Sequence, residues 1–161
     1  MRANEFVIEN SGRGKIEVKP SPGKGNGLFA TQLIKKGEKF IESPSIIMSD
    51  DDWQKVKNTE PSKLYGFVAD DEHAVPFGPI LFKFNNPKDK AAWASTEICK
   101  KHCPNGLSLS GFMFINDDQK SPNAEEDFPD NGSSVGMIAL RDINPGEEIT
   151  KKYNMQGNWT K

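Results

Sequence analysis

The sequence predicts a β-rich or irregular α+β fold built from short elements, and three observations carry that expectation. Glycine and proline number 14 and 11 among 161 residues, so turns recur too often for a helical bundle. Apolar residues make up 35% of the chain and fall in short runs, several of which alternate with polar residues as half-buried strands do. Helix-compatible stretches are confined to a middle region, about 49–106. A chain of this length is expected to form one domain, 1–161, with a real core.

Residues 5–9 and 15–19 alternate and are joined by Ser-Gly-Arg-Gly, which reads as a hairpin. Pro20-Ser21-Pro22-Gly23-Lys24-Gly25-Asn26-Gly27 follows; its glycines permit positive φ and close backbone approach, and a tight β-turn is its default reading. Ala30-Thr31-Gln32-Leu33-Ile34-Lys35-Lys36-Gly37-Glu38 then has an echo in Ala139-Leu140-Arg141-Asp142-Ile143-Asn144-Pro145-Gly146-Glu147. Ala, Ile, Gly and Glu recur at matched positions, and each copy leads into a strand, so the first and last portions are expected to lie close together.

Ser49 before Asp50 to Asp52 reads as a capped helix start, with Trp53 and Val56 on one side. Residues 75–84 suggest a short strand. Asn86-Pro87 opens a helix expected to run to His102, with Ala91, Ala92, Ser95 and Ile98 on its packing face. Phe112 to Ile115 reads as a buried strand that stops at Asn116-Asp117-Asp118 and turns through Pro122-Asn123. Such a stop either presents a binding residue or is a plain strand end with an Asx-turn. Val135–Leu140 and Glu148–Tyr153 read as strands, the second placing Ile149, Lys151 and Tyr153 on one face.

Several function classes are disfavoured. Net charge is −2 with both signs interspersed, and the Lys35-Lys36, Lys100-Lys101 and Lys151-Lys152 doublets read as solvated edges, so nucleic acid is not expected as a direct ligand. No run of about 18 apolar residues is present to span a membrane. Met1 to Asn10 holds no apolar signal core, which points to an intracellular protein, cytoplasmic or nuclear. Cys99 and Cys103 flank His102, but a tetrahedral zinc site needs four ligands and His73 is the one other histidine; two reduced thiols are expected, and no metal.

Three segments combine: Gly25-Asn26-Gly27-Leu28-Phe29-Ala30, then Phe114-Ile115-Asn116 with Pro122-Asn123-Ala124, then Gly146-Glu147-Glu148-Ile149 with Tyr153-Asn154. In this order and separation, over about residues 15–154, the chain resembles the SET-domain family of protein-lysine methyltransferases. The resemblance implies a mainly β, β-clip fold of small antiparallel sheets with short helices. Its C-terminal segment would form a pseudoknot beside the strand carrying Asn116. It implies S-adenosylmethionine as cofactor and a lysine-bearing protein or peptide, such as a histone tail, as substrate. Gly25, Asn26 and Gly27 would offer backbone groups to the cofactor, Asn116 would bind its amino-acid end, and the Asp117 backbone would reach the adenine. Tyr153 would be the channel tyrosine at the transfer centre, and Tyr65 a second channel wall. Trp159 falls where the family places an aromatic residue over the cofactor, with simple packing of a tail Trp as the alternative.

Methyl transfer is an in-line displacement on a sulfonium carbon by a neutral amine, so alignment supplies much of the rate and an apolar channel favours the uncharged lysine. The chain departs from the family pattern where Asp117-Asp118-Gln119-Lys120 replaces the usual His-Ser-Cys. Lys151 stands where Phe or Tyr is usual, two residues before the tyrosine, so it either turns away through a bulge or repels an incoming cation. The cysteine-rich zinc motif that follows many members is absent. A SET-like module that binds a protein segment with little or no catalysis is the alternative reading. The acidic stretch 125–130, with Asp50 to Asp52, hints at a basic peptide partner.

Overall fold

The two echoing segments form the joint of the molecule. In the computed structural model, which describes residues 15–65, 73–127 and 134–153, Ile34 and Ile143 face each other across an antiparallel bridge. The Ile34 N–H donates to the Ile143 carbonyl at 2.9 Å, and the Ile143 N–H returns a bond to Ile34 at 2.8 Å. The reciprocity extends outward. Gly37 donates to Ala139 and Gly146 to Ala30, both at 2.8 Å, while Ala30 donates to Glu147 and Ala139 to Glu38, both at 3.0 Å. Gly37 and Gly146 hold φ of 84° and 87°, a left-handed turn that costs a side-chain-bearing residue energy. Both isoleucines are fully buried, each contributing about 2 kcal/mol from apolar burial.

Two sheets meet at this joint. The first holds β1 (Ile16–Ser21), β2 (Gly25–Ala30), β9 (Glu148–Lys151) and β6 (Asn116–Asp117), in that order. The second runs β5 (Ser108–Leu109), β4 (His73–Leu81), β3 (Lys39–Met48), β8 (Ser134–Ala139) and β7 (Ala124–Glu126). All pairings are antiparallel except β6 with β9, which is parallel. The mainly β expectation holds, in small sheets accompanied by four short helices among the described residues: α1 (Asp50–Val56), α2 (Glu60–Tyr65), α3 (Pro87–Ala94) and α4 (Glu97–His102). None of these is long and apolar enough to cross a membrane.

Two local expectations are corrected, and a third lies partly outside the described residues. Phe112 to Ile115 is not a strand: Gly111–Phe114 is a 3₁₀ turn, capped by Ser110, whose Oγ accepts from the Phe112 N–H at 3.1 Å. The apolar run still packs inward, because Phe114 and Ile115 are buried. The helix expected to reach His102 breaks at Ser95-Thr96, where Thr96 caps α4 through the Cys99 N–H at 3.2 Å. Its core side chains are Trp93, Ile98 and Cys99, while Ala91 and Ser95 are exposed; Trp93 donates to Thr59 Oγ1 at 2.9 Å, which anchors the break. Among the described residues β1 pairs with β2 across the glycine turn, whereas 5–9 lie outside them.

Asp52 is a third surprise. It is only 2% exposed, and its carboxylate accepts from the Glu97 and Ile98 N–H groups, both at 3.0 Å, closing the α4 N-terminus. A residue read as a substrate-facing charge is a helix cap. His102 stacks near the Phe77 ring, at 5.6 Å, while Cys99 and Cys103 are buried free thiols with Sγ atoms 2.9 Å apart.

β9 is held by a side chain as well as by strands. Asn123 Nδ2 donates to the Glu148 carbonyl and Asn123 Oδ1 accepts from the Thr150 N–H, both at 2.8 Å. One buried amide thus satisfies two β9 backbone groups that would otherwise be unpaired. Replacing Asn123 by Ala should cost about 3 kcal/mol or more in chemical denaturation, because both groups lose their partner. Replacing Gly146 by Ala should cost about 1–2 kcal/mol, from backbone strain alone, since no atom lies within 4 Å of the added Cβ. Equal costs for the two would show that the amide contributes nothing beyond a turn.

Candidate functional site

The three motif segments converge where β2, β6 and β9 run side by side. Gly25, with φ of 75°, ends the hairpin turn after β1 and starts β2. A Cβ on Gly27 would meet Asn116 Nδ2 at 3.0 Å and Glu148 Oε2 at 3.1 Å. Glycine here leaves the room in which the Asn116 amide and the Glu148 carboxylate lie against this strand. Asn116 Nδ2 donates to the Asn26 carbonyl and to Glu148 Oε2, both at 3.0 Å. Glu148 Oε1 in turn accepts from Ser21 Oγ at 2.5 Å.

Tyr153 enters the same region from the end of β9. Its hydroxyl donates to the Ile115 carbonyl at 2.6 Å, one residue before Asn116. Burial, with the Asp117 and Glu148 carboxylates adding to it, pushes its phenol above the ordinary value. Tyr65, at the end of α2, meets the Phe114 ring edge-on at 5.5 Å and Phe82 at 6.2 Å. Burial and then Glu60 push the Tyr65 phenol up to about 12. Both tyrosines thus border the Phe114-Ile115 segment that leads into Asn116.

The two departing carboxylates serve local structure. Asp117 lies in the β6–β9 ladder opposite Lys151; its Oδ1 accepts from the Tyr153 N–H at 2.7 Å and from Gln119 Nε2 at 2.5 Å. Gln119 also donates to the Tyr153 carbonyl at 3.1 Å. Asp118 Oδ1 accepts from Lys120 and Ser121 N–H groups, each at 3.0 Å, as an Asx-turn does. Those backbone donors, Ser121's foremost, hold its carboxyl below the usual carboxylate range.

Lys151 does not turn away through a bulge. The β6–β9 register is regular up to Lys151, the last residue of β9, and its ammonium pairs with Glu126. The same nitrogen lies 4.5 Å from the Phe112 ring centroid and 5.4 Å from that of Tyr153. The cation therefore stays beside the tyrosine with its charge offset by a carboxylate and two ring faces. Glu126 and Asp127 are both engaged internally, Asp127 with Lys39 at 2.8 Å. With Asp52 buried, three of the carboxylates read as partner-facing have partners within the chain.

Sequence reasoning assigned no role to Ser21, Gln119 or Glu148, and took Glu126 only as part of the acidic stretch. Glu148 carried a usable signal: in a strand, it must point opposite to the buried Ile149. The others are joined only by folding. Trp159 and residues 128–130 of the acidic stretch lie outside the described residues. Among the described residues no group of three His, Cys, Asp or Glu side chains is placed to hold a metal ion.

A family model described as SET domain matches residues 25–154. Among solved structures, a Plasmodium falciparum protein described as a candidate histone methyltransferase aligns with a TM-score of 0.50 at 18% identity. The alignment covers 90% of this chain and 96% of that one, and at such identity the likeness speaks for the fold alone. No curated protein matches by sequence.

The tyrosines give a direct check on the site. The chain holds two tyrosines, so the near-ultraviolet tyrosinate band reports on these alone. The fold keeps both phenols protonated; the stability this confers is present below the ordinary pKa of 10 and is lost as pH rises through the raised values. A spectroscopic titration should show Tyr65 ionising nearer 12 and Tyr153 ionising above its ordinary value, each step accompanied by loss of native circular dichroism. A tyrosine ionising at its ordinary value in an intact fold would contradict the burial.

Proposed function

Because this chain belongs to the SET-domain family, the family of protein-lysine methyltransferases, we propose that it transfers a methyl group from S-adenosylmethionine to a lysine side chain of a protein, a histone tail being one such substrate. The observation that carries this reading is the contact between Tyr153 and Ile115. It puts the tyrosine of the last motif one residue from the asparagine of the middle motif, which itself packs on the glycine of the first.

The residues present suit such a cofactor. The Gly27 cradle, the Asn26 and Gly27 backbone, the Asn116 amide and the Asp117 backbone are the groups that would hold it, and a Trp159 ring would add to them. Bound there, the cofactor supplies an electrophilic methyl on a sulfonium. The protein's own part is alignment, since methyl transfer requires the amine in line and uncharged. Tyr153 spends its proton on the Ile115 carbonyl, which leaves the phenol oxygen as an acceptor for an amine N–H. The Tyr65 ring packed on Phe82 and Phe114 would supply an apolar wall that disfavours a charged lysine through desolvation. The Glu126 carboxylate paired with Lys151 offsets part of the charge that an incoming side chain would meet.

A second reading, a module that binds a protein segment without transferring a methyl group, is favoured by one observation: the Lys151 ammonium already lies against the Tyr153 ring. Two measurements separate the readings. Calorimetry with S-adenosylmethionine should register binding; no heat at about millimolar cofactor leaves only the binding module. With a lysine peptide panel, Tyr153→Phe should lower methyl transfer about a hundredfold while cofactor affinity stays within about twofold. Full activity in that variant would refute the role of Tyr153.

A further inference from the structure

We propose that Glu148 is a positioning residue: its carboxylate sets which way round the Asn116 amide sits, so that Oδ1 rather than Nδ2 is offered to the amino-acid end of the cofactor. The inference rests on the methyltransferase reading and deepens it.

A side-chain amide carries two N–H donors on one side and an acceptor oxygen on the other, and the two ends are nearly the same shape. Its neighbours decide the orientation. Here the nitrogen end meets the Asn26 carbonyl and Glu148 Oε2, both at 3.0 Å. A carbonyl and an ionised carboxylate accept only, so inverting the amide would set its oxygen against two acceptors and lose both bonds. Both Nδ2 hydrogens are thereby spent within the protein, and no donor reaches Oδ1 among the described residues. The end of the amide left for a ligand is an acceptor, which suits an ammonium.

Glu148 can impose this because it is itself held. Ser21 Oγ donates to Oε1 at 2.5 Å from across the hairpin turn, and the missing Cβ of Gly27 leaves room for Oε2 beside the amide. The carbonyl of Asn26 alone would restrain one hydrogen; the carboxylate makes the alternative orientation unfavourable at both. Met113, Phe114 and Ile115 supply no competing charge before Asn116.

The test uses the full chain and two nucleosides: S-adenosylhomocysteine, which has the amino-acid end, and 5′-methylthioadenosine, which lacks it. By calorimetry, Glu148→Ala should weaken S-adenosylhomocysteine about tenfold and change 5′-methylthioadenosine by less than about twofold. Glu148→Gln, which keeps an acceptor oxygen without the charge, should restore affinity to within about threefold of the parent. Equal losses for both nucleosides, or none, would overturn the proposal by making Glu148 purely structural or idle. Loss in Glu148→Gln as large as in Glu148→Ala would also overturn it, since the charge itself would then be what the ligand needs. Should Glu148→Ala not fold, Ser21→Ala must give a smaller loss confined to S-adenosylhomocysteine, and its absence counts against the proposal. A parent chain that binds neither nucleoside ends the cofactor reading itself, and this proposal with it.

Discussion

The reciprocal bridge between Ile34 and Ile143 is the constraint on which the rest of the structure depends. β2 and β8 run into it and β3 and β9 run out of it, so one joint sets both sheets relative to each other. Its symmetry extends to side chains: Glu38 accepts from the Lys35 N–H at 3.2 Å and Glu147 from the Asn144 N–H at 3.0 Å. Each glutamate also holds a cation, Lys15 in one copy and Arg141 in the other. A short motif used twice solves the problem of returning the chain end to its beginning, with each copy satisfying the other's backbone groups.

Once β9 is laid beside β2, the remaining polar groups have few choices. β6 offers only two residues of parallel pairing, and a ladder so short gives little cohesion by itself. The Asn123 amide, the Asp118 N–H on the Lys151 carbonyl and the Asp117 carboxylate on the Tyr153 N–H complete the attachment. The candidate site lies within this attachment. Asn116 and Tyr153 are brought together by the same bonds that hold the C-terminal strand, so positioning the site and closing the fold are one physical event.

That coupling explains the departures from the family pattern. Asp117 and Asp118 add two negative charges beside a pocket expected to hold an adenine, yet both carboxylates accept from backbone N–H groups of their own surroundings. Lys151 brings a cation to the tyrosine and Glu126 offsets it. Burying one member of such a pair without the other would leave an uncompensated charge, which is costly. The substitutions are tolerable as a set, each charge arriving with its partner.

Much of the architecture was legible in residue order. Short alternating runs, the paired Ala-Ile-Gly-Glu segments and the punctuation by Gly and Pro determined a mainly β chain whose ends return to each other, because period, turn chemistry and positive φ are local properties. Asn116 and Tyr153 could be singled out because they sit at fixed offsets within recognisable motifs. The 3₁₀ turn at Gly111–Phe114 could not, since an apolar run reads the same as strand or turn until Ser110 caps it. Nor could Asp52, whose neighbours in sequence are solvent-facing acids but whose partners are the N–H groups of Glu97 and Ile98. The direction of Lys151, the engagement of Glu126 and the orientation of the Asn116 amide were decided only by tertiary structure. Each is a choice between near-equal local states, and what breaks the tie is an acceptor or a charge delivered from a distant part of the chain.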